Sequence, residues 1–249
     1  MTEPKRALVW DLPVRLFHWL LAGAFLGAFA IANLVDDEST LFAAHMWLGA
    51  IAAFMVVLRG VWGFIGSRYA RFGSFALSPA ALVRYVKGAA AGNDPPTPGH
   101  NPGSSFAALA IFVLMLGLAA SGALMARAEV FEELHEALAW TLMGVVAIHV
   151  AGIVWHTIRH RENIALSMVD GHKRIAKGAA IESSHALAAV AFLGLTGLWA
   201  GALYDGYDAA GRQVTLPLLG VSVQLGEAEG AHAERGEHEE HEEHDDDDD

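Results

Sequence analysis

The sequence predicts an all-α integral membrane protein: a four-helix bundle, one additional C-terminal transmembrane helix, and a disordered acidic tail. Three observations carry this. Of the 249 residues, 54% are hydrophobic and 18% charged, where soluble domains hold about 45–50% and about 25%. Five apolar stretches are each long enough to cross a hydrocarbon core, which takes about 20 residues. Basic side chains also alternate from one connection to the next.

Composition excludes several classes. The net charge is −12, but residues 227–249 hold 13 acids and one Arg, leaving 15 basic and 15 acidic side chains elsewhere. A neutral, apolar body lacks the basic face that nucleic-acid binding requires. The chain has no Cys, which removes disulfides, thiolate nucleophiles, iron–sulfur clusters, zinc ribbons and covalent c-type haem attachment. A metal centre must therefore rest on carboxylates, Met or the 13 His residues.

The elements follow in order. The first span, Leu16–Val35, is preceded by Lys5 and Arg6. It exceeds a signal-peptide core and carries His18 and Trp19 in its first turns, so it reads as a retained helix. The second is Leu41–Ile65. The connection after it contains Ser78-Pro79, an N-cap with Pro at N1, opening a short amphipathic helix through Lys87. Gly92–Gly103, with four prolines, is a turn-rich return. The remaining spans are Ser104–Ala126, Ala137–Ile158 and Ser183–Tyr204. Gln213–Leu225 alternates enough for a strand or hairpin, and residues 227–249 are low-complexity and expected to be disordered. No internal repeat is evident. The division expected is 1–177 for the bundle, 178–206 for the fifth helix and 207–249 for the tail.

Orientation comes from the basic residues. The N-terminus, second connection and fourth connection, with their flanking span ends, hold 13 of them, whereas the first and third connections hold only Arg127. The positive-inside rule places the N-terminus in the cytoplasm, and five crossings place the tail outside.

Ionisable or ligating side chains inside spans are functional candidates, and depth decides how four histidines pair. His18 lies near the inner end of the first span. His45 and His135 lie near the outer ends of the second and fourth. His149 follows His135 by 14 residues, which returns it to within about 40° of the same helix face and about 21 Å deeper. Two pairs result, His18 with His149 and His45 with His135. Facing histidines at matched depth suit the two axial positions of a planar haem, and bundle cores are where such cofactors are held. Gly23, Gly27, Gly49, Gly144 and Gly152 would let a wide macrocycle approach the backbones, or equally allow close helix packing. Haem carboxylates favour cationic neighbours: Arg15 and Arg59 suit the inner group, Arg127 the outer one or a quinone head group. His100, in a loop, is placed to meet a buried carboxylate or solvent.

The run Val9-Trp10-Asp11 with Pro13, Arg15 and His18-Trp19 resembles the opening of the prokaryotic b-type di-haem cytochromes. That group includes bacterial cytochrome b-561 and the membrane cytochrome subunit of nickel–iron hydrogenases. Further matches are Arg59-Gly60-Val61-Trp62-Gly63-Phe64, Ser67-Arg68-Tyr69-Ala70-Arg71-Phe72, Gly99-His100-Asn101-Pro102, His135-Glu136 with His149, His160-Arg161-Glu162-Asn163 and Gly171-His172-Lys173-Arg174. They span roughly residues 8–177. The resemblance implies two haem b groups, bis-histidine ligation by His18, His45, His135 and His149, and location in the bacterial cytoplasmic membrane, where the five crossings counted above put the tail in the periplasm. It further implies respiratory electron transfer between a quinone pool and a partner such as a c-type cytochrome or a hydrogenase or other oxidoreductase subunit. A homodimer is compatible with it. The fifth span and tail lie outside that core. An alternative within the resemblance is a superoxide:quinone oxidoreductase. A third reading rests on His232, His238, His241 and His244, which could bind Zn, Cu or Ni, against a solvated acidic tail or a docking arm for a basic partner.

Overall fold

The computed structural model describes residues 5–36, 39–93, 97–176, 178–208, 213–217 and 220–224. Five of its helices are long and apolar enough to cross a membrane. They are α1 (Leu12–Leu34), α2 (Ala43–Ile65), α4 (Pro102–Leu124), α5 (Val130–His160) and α7 (Ala186–Asp205). Of the tail expected over 207–249, the acidic, His-rich run 227–249 falls outside the described residues.

Local chemistry sets the helix starts. Asp11 Oδ1 accepts the Val14 amide at 2.9 Å, with Pro13 in the first turn, so α1 begins before the expected Leu16. Asn101 caps α4 in the same way, accepting the Ser104 amide at 2.8 Å ahead of Pro102. The surface helix expected from Ser78-Pro79 is α3 (Pro79–Ala91), closed by Gly92 at φ 74°. The span expected from Ala137 proves to be part of a 31-residue helix. His135 therefore sits in its second turn rather than just ahead of it.

Packing follows from hairpins. α1 packs on α2 and α4 on α5, the two pairs meet through α2 and α4, and α7 leans on α1 and α2. The shared core contains Phe17, Leu21 and Phe25 of α1, Met55 and Val56 of α2, Met115 and Leu118 of α4, Leu142 of α5 and Phe192 of α7. Elsewhere apolar side chains face outward, among them Ile148 at 75% and Leu187 at 83% exposure. Outward apolar surface on that scale calls for a hydrocarbon environment: this is a multi-pass membrane protein.

Both ends of the bundle carry short strands. At the end rich in basic residues, β1 (Lys5–Leu8) pairs antiparallel with β2 (His172–Ile175), which follows the short α6 (Ser167–Asp170). The sequence gives no warning of this pairing, because four-residue strands so far apart along the chain leave no periodic signal. Val9 and Trp10 both donate to the Gly171 carbonyl, and Gly171 turns at φ 82°. At the opposite end β3 (Tyr207–Asp208), β4 (Gln213–Leu216) and β5 (Val221–Gln224) form an antiparallel sheet, as the alternation at Gln213–Leu225 predicts.

The two hairpins repeat each other. Leu12–Leu34 and Pro102–Leu124 are offset by 90 residues at both ends, and the same offset relates the caps Asp11 and Asn101. A Cβ on Gly27 would stand 3.1 Å from Leu48 Cδ1, and one on Gly117 would stand 3.1 Å from Leu138 Cδ1. Those contacts, too, are 90 residues apart. Most of the equivalent positions carry different residues, so the repeat leaves little trace in the sequence.

Candidate haem-binding site

Near the acidic end, His45 from α2 and His135 from α5 approach across the bundle. Their ring centres lie 6.1 Å apart at 69°. Two imidazoles on opposite sides of one metal, with metal–nitrogen bonds of about 2 Å, hold their centres roughly that far apart. Each ring is oriented from behind. His45 Nδ1 lies 2.9 Å from the Ala28 carbonyl, which can only accept, so Nδ1 carries the proton and Nε2 keeps its lone pair. His135 Nδ1 lies 3.1 Å from the Leu118 carbonyl and 3.1 Å from Ser121 Oγ. The Ser121 hydroxyl donates in turn to the Gly117 carbonyl at 2.9 Å. Such partners fix tautomer and ring orientation at metal sites. Ala28 and Leu118 are again 90 residues apart, as are the histidines, so each hairpin supplies one ring by the same device.

Toward the basic end, His149 lies on the same unbroken helix as His135. His18 on α1 is within electrostatic range of it. Both are half-buried, and His18 meets the edge of Trp19 at 5.1 Å. Of the four sequence-selected histidines, His45 and His135 come into ring contact, whereas His18 and His149 are within electrostatic range of each other. Among the described residues no group of three or more His, Asp or Glu could hold a free metal ion. Facing pairs suit a metal that brings its own equatorial nitrogens. Beside Gly23, Gly49, Gly144 and Gly152 there is open space where a Cβ would stand, whereas Gly27 packs on Leu48.

The arginines separate. Arg59 is 4% exposed, donates through Nη2 to the Ala70 carbonyl at 2.9 Å, and lies over the Phe72 and Phe112 rings. Arg15 donates to the Val169 carbonyl, which ties it to the turn at α6, while its Nε is buried without a partner. Arg127 is exposed in the turn before α5, and no hydrogen bond among the described residues joins it to His45 or His135.

Sequence reasoning missed the roles of Asp11 and Ser121, and named His100 without its packing. Asp11 is fully buried, and besides capping α1 its Oδ2 accepts the Trp62 indole at 3.0 Å; the Asp-Leu-Pro run signals the cap but not the indole. Ser121 carries no sequence signal at all. His100 is packed between Trp10 at 4.8 Å and Phe75 at 4.6 Å. Burial, with Arg59, Lys173 and His149 around it, pushes its pKa down to about 3. Burial also lowers Lys173, against the pull of Glu162.

The sequence profile of one family, prokaryotic cytochrome b561, matches residues 9–171, about two-thirds of the chain. Neither the curated proteins nor the solved structures contain a match. That match covers more than half of the chain, and the facing His45–His135 pair lies inside it: the chain belongs to the prokaryotic cytochrome b561 family of membrane electron-transfer proteins that bind haem b.

Proposed function

We propose that this protein is a two-haem transmembrane electron carrier, working between a membrane quinone pool and a protein redox partner in respiration. The observation that carries the reading is the His45–His135 pair, 6.1 Å between ring centres with each Nδ1 engaged from behind. His18 and His149 form the second site, and Arg15, Arg59 and Arg127 are the cationic neighbours. Haem b supplies one-electron chemistry at each level. The chain's own residues hold the imidazoles in register, exclude water with the apolar core, and set nearby charge. Filling both axial positions disfavours ligand chemistry at iron and favours electron transfer. Quinone and partner rest on the motif resemblance, the division at 177 on where that resemblance ends, and the division at 206 on the end of the fifth span.

The split of basic side chains supports a cytoplasmic N-terminus and a periplasmic tail. The test is a haem-to-protein ratio with a redox titration of purified protein. Two haems per chain are expected, with one lost in His135→Ala and the other in His149→Ala. A protein without a reducible b-type spectrum overturns the reading.

A further inference from the structure

The basic end of the bundle holds buried nitrogens that no acceptor meets. Arg59 Nη1, Arg15 Nε and His100 Nδ1 are all buried without a hydrogen-bond partner. Buried polar groups are normally paired, and an unpaired buried cation is costlier still. Asp11 is within electrostatic range of Arg59, yet its two oxygens already serve the Val14 amide and the Trp62 indole. Lys173 adds a further cation beside His100, its ammonium donating to the Thr97 carbonyl at 2.8 Å.

The hairpin repeat fixes where Arg59 points. Arg59 follows His45 by 14 residues and His149 follows His135 by 14 residues, so Arg59 is the repeat equivalent of His149. It therefore occupies the inward face of α2 about 21 Å from the outer pair, at the level of His18 and His149. His100 is joined to it through rings: His100 on Phe75, Phe75 on Phe72 at 5.6 Å, and Arg59 over Phe72 at 5.7 Å. His100 also lies within electrostatic range of both Arg59 and His149.

We propose that Arg59 and His100 act as a positioning pair, donating through Nη1 and Nδ1 to one carboxylate of the haem held by His18 and His149. This rests on the two-haem reading above and deepens it. The pair sets the rotation of the macrocycle about its axial ligands, and the buried guanidinium favours the reduced form of that haem over the other.

The test uses full-length holoprotein carrying Arg59→Gln, Arg59→Lys, His100→Gln or, as a control, the exposed Arg68→Gln. Each is read by haem content, by two-step redox titration and by the carboxylate bending modes in resonance Raman spectra. Arg59→Gln and His100→Gln should shift the carboxylate mode of one haem only. Arg59→Gln should also move that haem's midpoint to more negative potential, Arg59→Lys should restore the midpoint without the mode, and Arg68→Gln should change neither. If Arg59→Gln does not assemble, His100→Gln decides. Wild-type protein with two haems whose modes and potentials stay fixed in these variants overturns this assignment alone. Wild-type protein without haem overturns the reading beneath it. A phospholipid phosphate seated on the same donors would show as a co-purified lipid lost in Arg59→Gln with the haem modes unmoved, which also overturns the assignment.

Discussion

Asp11 shows how much one side chain can anchor. Fully buried, it closes the N-terminus of α1 and holds the Trp62 indole of α2. Asp11→Ala removes the cap and leaves an indole N–H unpaired, so a loss of about 2–3 kcal/mol is expected in chemical or thermal unfolding. Ser121 acts more gently: Ser121→Ala leaves His135 its Leu118 carbonyl, so a cost of about 1 kcal/mol is expected, with both haems retained in the absorption spectrum. Asp170 supplies a pH dependence. The His172 amide, and then Arg6, hold its carboxyl below its ordinary value. A depressed acid contributes stability in full above the ordinary carboxylate range, and that contribution is lost as pH falls through the folded value. The β1–β2 pairing should therefore be intact at neutral pH and loosen below about pH 4, as amide hydrogen exchange at Arg6–Leu8 would report. In Asp170→Asn the pairing should already be looser at neutral pH, with less further change on acidification.

Elements pack through a few large side chains. Leu142, 1% exposed, is the one buried residue of α5 among those described. Leu142→Ala should cost about 2–5 kcal/mol, measured by thermal unfolding in detergent. α7 contributes Phe192 to the core, and its Trp199 stacks on Phe54 at 4.7 Å while donating to the Ala50 carbonyl at 3.2 Å. None of the four paired histidines lies on it. A chain ending after residue 185 should keep both haems and lose thermal stability; loss of the His45–His135 haem in that variant would place α7 within the site. The cap of α3 was legible because Ser78 stands beside Pro79, whereas those of α1 and α4, Asp11 and Asn101, lie ahead of the starts expected at Leu16 and Ser104. The β1–β2 pairing was not legible, since its register comes from the turn at Gly171 and its carbonyl rather than from strand periodicity.

At the scale of the molecule, the hairpin repeat gives the two levels different character. The outer level uses equivalent positions, His45 and His135. In the proposed two-haem reading the inner level would use His18 of one hairpin and His149 of the other, with Arg59 where a symmetric arrangement would place a third histidine. Neutralising Arg59 should therefore disturb one haem and spare the other. The sequence by itself determined the membrane location and the five spans, and singled out the four candidate histidines. Apolar length, basic alternation and a fixed helical rise are properties of a chain read one segment at a time. Only the tertiary structure decided that Ala28 and Leu118 orient the outer rings, that Arg15 is tied to the α6 turn, and that Arg59 and His100 each keep a buried nitrogen without a partner. Those facts depend on which helix faces which, and that is settled by packing across the bundle rather than by any local pattern.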